Sequence, residues 1–174
     1  MTVCADEVLI GSPDPRVPQE SIARLAAALK ESGVPARTTS NILVALWGKV
    51  LYNCALNGLS TLFEVSYGEL LDRPVAARMM RAVIEEVYAV VTAHHVPLKP
   101  ATASEYVDLL FTRLIPSTGT HHSSMLQDVQ RHARTEIESL NGAIVRLGQQ
   151  VGINTPVNAL VTRLVHAKER FCTE

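Results

Sequence analysis

The segment from Asn41 to Glu64 constrains this chain more than any other. It runs for two dozen residues without a proline, and Leu43, Val44, Trp47, Val50, Leu51, Ala55, Leu56, Leu59 and Leu62 spread around most of a helical circumference. A helix that is apolar almost all round belongs in a core, so the segment predicts a central, buried helix. One stripe breaks the pattern. Lys49, Asn53 and Asn57 recur at i, i+4 and i+8, which places them within about 80° of one another, and Ser60 and Glu64 fall in the same arc. Buried polar groups must be satisfied. The spacing therefore admits two readings. It is a solvated stripe or an asparagine network joining helices, or it faces a cleft in which a lysine donates a proton and two carboxamides orient a substrate carboxylate or hydroxyl.

The flanking sequence differs on the two sides. Before Ser40, Val8-Leu9-Ile10 is a short apolar run that predicts a strand, and Gly11 to Pro15 is a turn cluster. Ser21 to Ser32 carries Ile22, Leu25, Ala26 and Leu29 with Gly33 as its stop, and Pro35 to Thr39 is extended. Strand, turn, helix, strand is an α/β fragment too small to be a domain. After Ser40 the chain reads as helices only. Ser66 to Glu69 is a turn or short helix, and Pro74 opens a helix to about His94 on Val75, Met79, Val83, Ile84, Val87 and Val91. His95 to Pro100 breaks it, Ala103 to Leu114 is a helix stopped by Pro116, and Ser117 to His122 is a polar loop. Thr135 to Val151 repeats the helical period through Ile137, Leu140, Ile144 and Leu147, and Pro156 to Phe171 is the last helix. The expected boundaries are 1–40 for the α/β piece and 41–174 for the helical body.

Composition removes several function classes. Sixteen Lys+Arg against 17 Asp+Glu leave a net charge of −1, no field that would gather nucleic acid or an anionic membrane. Cys4, Cys54 and Cys172 are far apart and odd in number. Neither a disulfide framework nor a zinc ribbon is expected, and a reducing cytoplasm fits. Met1 to Asp6 lacks a basic n-region leading into an apolar run, and no membrane span is expected. The histidine pairs His94-His95 and His121-His122 lack partners at ligand spacing, so no metal site is expected.

A second segment is rich in polar chemistry. Ser123-Ser124-Met125-Leu126-Gln127-Asp128 follows His121-His122 and precedes Arg134-Thr135-Glu136-Ile137. A serine-rich loop entering a helix presents hydroxyls and backbone N–H groups to an anion, or Ser123 or Ser124 is simply a helix cap.

Together these segments resemble the C-terminal domain of the ketopantoate reductase (2-dehydropantoate 2-reductase) family. W-x-K-x-x-x-N-x-x-x-N is present as Trp47, Lys49, Asn53 and Asn57; S-S-M-x-Q-D and R-T-E-I-x-x-L-N-G run from Ser123 to Gly142; and G-I-x-T-P-x-N is Gly152, Ile153, Thr155, Pro156 and Asn158. The resemblance extends over about residues 8 to 168. It implies a mainly α fold, a helical bundle like the C-terminal domain of phosphogluconate dehydrogenases, preceded here by a short α/β remnant of a Rossmann domain. It implies an NADPH-dependent reduction of ketopantoate to pantoate, a step of pantothenate and coenzyme A biosynthesis. In that reading Lys49 is the general acid, Asn53, Asn57 and Ser124 hold the 2-keto acid, and Glu136 completes the site.

The chain departs from that family in one respect. None of its nine glycines forms G-x-G-x-x-G, so the residues that would bind the cofactor are unknown, and tight NADPH binding by this chain alone is not expected. The expected partners are a homodimer mate or a separate nucleotide-binding domain, and the chain is expected to be inactive without the latter. The alternative is a non-catalytic helical dimerisation or interaction module that retains the fold.

Overall fold

The computed structural model describes residues 7–173, with side chains to Phe171. Met1 to Asp6, with Cys4, and the Cys172 side chain lie outside the described residues. The chain forms two compact units that meet in sequence at Trp47 and Gly48.

The first unit is a minimal βαβ turn. Strand β1 (Val8–Ile10) pairs in parallel with β2 (Ala36–Thr38), and helix α1 (Gln19–Glu31) connects them. Ile22, Ala26 and Ala36 are its buried residues. The helix ends where Gly33 takes φ +82°, a left-handed conformation that glycine adopts without a Cβ penalty.

Helix α2 (Ile42–Phe63) begins in the first unit and supplies the core of the second. The expectation of a buried helix holds for one half of it. Leu51, Cys54 to Thr61 are buried, whereas Leu43 and Leu46 are exposed. By length and composition α2 is apolar enough to cross a bilayer, contrary to the expectation that no segment reaches that threshold. The burial of Leu51, Cys54, Ala55, Leu56 and Leu59 within the second unit accounts for that composition.

The remaining helices are α3 (Tyr67–Leu71), α4 (Pro74–Ala93), α5 (Ala103–Leu109), α6 (Ile115–Ser117), α7 (Ser124–Gln130), α8 (Asn141–Gln150) and α9 (Pro156–Thr173). The body is all-α, with no strand after β2 among the described residues. Capping boxes start α3 (Ser66 with Glu69) and α5 (Thr102 with Glu105), and Pro74 opens α4, where its missing N–H costs nothing. Helix α4 packs on α3, α5, α8 and α9 through Met80, Val83, Ile84, Val87 and Val91.

Two expected helices differ in detail. Pro116 does not stop the helix that begins at Ala103. A π-helical stretch, Leu110–Leu114, leads directly into α6, and its wider turn accommodates a proline that cannot donate. The period across Thr135–Val151 is also not one helix. A 3₁₀ turn, Ile137–Ser139, is followed by a break at Leu140 (φ −104°, ψ −101°) before α8 begins. The break turns Asn141 into the core, and Glu138 folds back against Gly142, where a Cβ would stand 2.6 Å from Glu138 Oε2.

Candidate functional site

The polar stripe of α2 passes from solvent into the core along its length. Lys49 is exposed, Asn53 is half-buried and Asn57 is 4% exposed. Among the described residues no hydrogen bond or ion pair engages the side chains of Lys49 and Asn53. Asn57 is held on several sides. Its carbonyl accepts from Thr61 Oγ1 at 2.8 Å and from Ser123 Oγ at 3.4 Å, and its Oδ1 accepts from the Tyr67 hydroxyl at 2.9 Å.

Ser123, not Ser124, is the serine docked on α2. Its N–H donates to Ser60 Oγ and its hydroxyl shares a 3.2 Å hydrogen bond with Thr61 Oγ1. The same hydroxyl accepts from Leu126 N–H, so it is also the N-cap of α7. Ser124 follows as the first residue of that helix and is exposed. Glu136 is exposed before the 3₁₀ turn, and its carbonyl accepts from Ser139 and Leu140. No ion pair joins Glu136 to Lys49 among the described residues. The structure thus brings the α7 start onto α2 at Asn57, while the side chains of Lys49, Asn53, Ser124 and Glu136 make no hydrogen bond or ion pair among the described residues.

Much of the later motif is architectural. Asn141 Nδ2 donates to the Cys54 carbonyl at 3.1 Å and to Asn158 Oδ1 at 2.9 Å. Asn158 Nδ2 in turn donates to Glu86 Oε2 at 2.7 Å, and that carboxylate also accepts the Val157 and Asn158 N–H groups at the start of α9. An anionic side chain at a helix N-terminus is favourably placed. Thr135 and Glu169 are linked likewise, the Thr135 N–H donating to Glu169 Oε1 at 2.8 Å. Sequence reasoning missed Tyr67 and the aromatic cluster around it. Tyr67 meets Tyr52 edge-on at 5.8 Å and lies parallel to His121 at 6.5 Å, and Tyr52 hydrogen-bonds Thr118 at 2.7 Å. No periodic signal marks Tyr67; its capping box was the one local cue. Burial first, and Tyr52 second, push its phenol up to about 12, so it keeps its proton at neutral pH. Cys54, between the two asparagines, is a core thiol pushed up to about 12 by burial. No cluster of metal-ligating side chains exists among the described residues.

The second unit is thus a helical body whose core helix carries a Lys-Asn-Asn stripe, with a serine-capped helix seated on the second asparagine. The chain belongs to the ketopantoate reductase family, matching the description "Ketopantoate reductase PanE/ApbA C terminal" over residues 41–169. It is 43% identical over 98% of its length to a 2-dehydropantoate 2-reductase of Aquifex aeolicus, covering 55% of that protein. A Lactococcus lactis 2-dehydropantoate 2-reductase is 35% identical over 88% of this chain and 49% of its own. Among solved structures, a PanE/ApbA family ketopantoate reductase from Ralstonia eutropha superposes with a TM-score of 0.80 at 36% identity, over 90% of this chain and 51% of that one. A D-mandelate dehydrogenase with NADH and anilino(oxo)acetate gives 0.79 at 33% identity, over 89% and 50% of the two chains. The chain spans about half the length of the curated relatives it matches.

Proposed function

We propose that this chain is the substrate-binding, lysine-bearing half of an NADPH-dependent 2-dehydropantoate 2-reductase, with Lys49 as general acid and Asn53, Asn57, Ser124 and Glu136 as substrate contacts. The observation that carries the reading is the α2 stripe: among the described residues Lys49 and Asn53 have no side-chain partners, and the asparagine at the buried end is braced by Ser123 and Tyr67. Residues 1–40 are read as the last piece of a nucleotide-binding domain. A dinucleotide does not fit the residues present, since no glycine-rich phosphate loop occurs in the 174-residue sequence, and the cofactor site is assigned to a separate domain.

The chemistry asked of this chain is modest and local. Reduction of a 2-keto acid develops negative charge on the keto oxygen. The Lys49 ammonium stabilises that charge and delivers the proton that completes the hydroxyl. The asparagine amides hold the acid so that this oxygen meets the lysine, and such positioning can be worth about 7–11 kcal/mol. The hydride is supplied by NADPH when bound to the other half. The reading places the protein in a reducing, cytoplasmic setting, as a dimer or joined to that domain.

The test is reconstitution. The 174-residue chain alone is expected not to oxidise NADPH with ketopantoate, and a separately expressed nucleotide-binding half of the family is expected to restore turnover. Lys49→Ala should then lower kcat by about 100-fold or more. A reconstituted Lys49→Ala variant as active as the wild type would overturn the assignment.

A further inference from the structure

Asn57 carries a donor and an acceptor on one side chain, and which of them meets a ligand depends on what holds the other. Its Oδ1 accepts the Tyr67 hydroxyl at 2.9 Å. Among the described residues its Nδ2 has no hydrogen-bond partner, and it is not among the polar atoms sealed from solvent. We propose that Tyr67 is a positioning residue for the substrate site: by occupying the carboxamide oxygen of Asn57 it commits the amide nitrogen as a donor toward the ligand, so that this position selects a carboxylate or carbonyl oxygen over a donor group. The inference deepens the functional reading above and rests on it.

The surroundings make the tyrosine a rigid brace. It is 6% exposed and begins α3 immediately after the Ser66–Glu69 capping box. Its N–H donates to the His121 carbonyl at 3.0 Å, and the next N–H, of Gly68, donates to Gly119 at 2.9 Å. The ring is fixed by Tyr52 at its edge and His121 on its face. A phenol that keeps its proton is an obligate donor to a carboxamide oxygen, whereas an unbraced carboxamide can rotate and offer either end. The loop that carries Gly119 and His121 therefore aims Asn57 indirectly, through one hydroxyl.

The experiment follows the side-chain amide resonances of Asn57, identified by their loss in Asn57→Ala, while the 174-residue chain is titrated with ketopantoate. In the wild type these resonances are expected to move on addition. Tyr67→Phe keeps the ring contacts and removes only the hydroxyl. It should displace the amide resonances before any ligand is added and weaken ketopantoate binding roughly fivefold, the worth of one neutral hydrogen bond. Asn57→Asp retains the Tyr67 bond but leaves an oxygen where the donor stood, and it should abolish binding. Should Tyr67→Phe fold poorly, Asn57→Asp alone decides. Wild-type-like affinity in either variant overturns the positioning role and leaves the functional reading standing. No response of the wild-type chain to millimolar ketopantoate overturns the functional reading, and the inference with it.

Discussion

Asn141 hands one amide nitrogen to two partners on different helices, the Cys54 carbonyl at 3.1 Å and Asn158 Oδ1 at 2.9 Å. Through this atom α8 is tied to α2 and α9 in the interior of the helical unit, where both asparagines are fully buried. Residues that the sequence offers as parts of a family motif are here the internal bracing of the bundle. Asn158→Ala should therefore lower stability rather than alter ligand affinity. The loss expected is about 1–3 kcal/mol, because it removes one of the two acceptors of Asn141 Nδ2 and the side-chain donor to Glu86 Oε2 from the buried network. Urea unfolding measures it; an unchanged midpoint would show that the network contributes nothing.

The approach of α2 to α9 sets a second prediction. A Cβ on Gly58 would stand 2.5 Å from Val161 Cγ1, a fully buried methyl. Alanine in a helix gains up to about 1 kcal/mol over glycine, but overpacking costs about 1–3 kcal/mol. Gly58→Ala should be net destabilising, and Val161→Ala added to it should recover part of the loss. Strict additivity in a double-mutant cycle would contradict the close contact.

A pH effect follows from His166. Its Nε2 lies 2.9 Å from Glu138 and its Nδ1 2.7 Å from Glu169, while Arg146 also binds Glu138. Arg163 lines one cleft that includes His166, and His132, Arg134 and Arg170 line another. Glu138 first, then Glu169, raise His166 above its ordinary 6.5. The stabilisation this gives is complete below about 6.5 and fades as pH rises through the raised value. Glu138 is lowered from 4.5 by His166 and then Arg146. For Glu169 burial is the largest influence and acts upward, but hydrogen bonds from Thr135 and His166 outweigh it. The carboxylate contribution is therefore present above about 4.5 and fades as pH falls. Both contributions coexist from about 4.5 to 6.5, and at such exposed groups their effect stays below about 1 kcal/mol. Wild type should lose more stability than His166→Gln between pH 6 and pH 9, and equal losses would dismiss the idea.

Association is expected of the isolated chain. Its described sheet has two strands of three residues, with outer edges unpaired, and Leu25 and Val34 stand exposed in the same unit at 53% and 38%. Open edges and apolar faces favour pairing. Sedimentation velocity should show dimers or larger species as concentration rises, and a monomer throughout would rule this out.

The helices that sequence patterning reads well are those whose stop signals are local. Pro74 and the Gly33 stop bound α4 and α1 almost to the residue. Patterning fails where tertiary partners decide. The apolar period through Ile137, Leu140 and Ile144 is real, and all three are buried, but the chain breaks at Leu140 to turn Asn141 inward, which no periodicity records. At the site, the Lys49, Asn53 and Asn57 stripe is legible because one helix carries it. Tyr67 is not, because its bond to Asn57 spans a turn and depends on the loop carrying His121. Adjacent serines are equally ambiguous until the docking of α7 singles out Ser123.

Between Asn53 and Asn57 lies a sulfur that water does not reach: Cys54 is 0% exposed, and its thiol stays protonated far above neutral pH. Such a group is inert to alkylating reagents while the helical unit is closed, and becomes reactive only when α2 swings free of its neighbours. With Cys4 and Cys172 replaced by serine, the labelling rate at Cys54 becomes a clock for the opening of the helix that carries the lysine. Ligands that bind the stripe must slow that clock in proportion to their affinity, so the protein holds its own indicator for discovering what it binds.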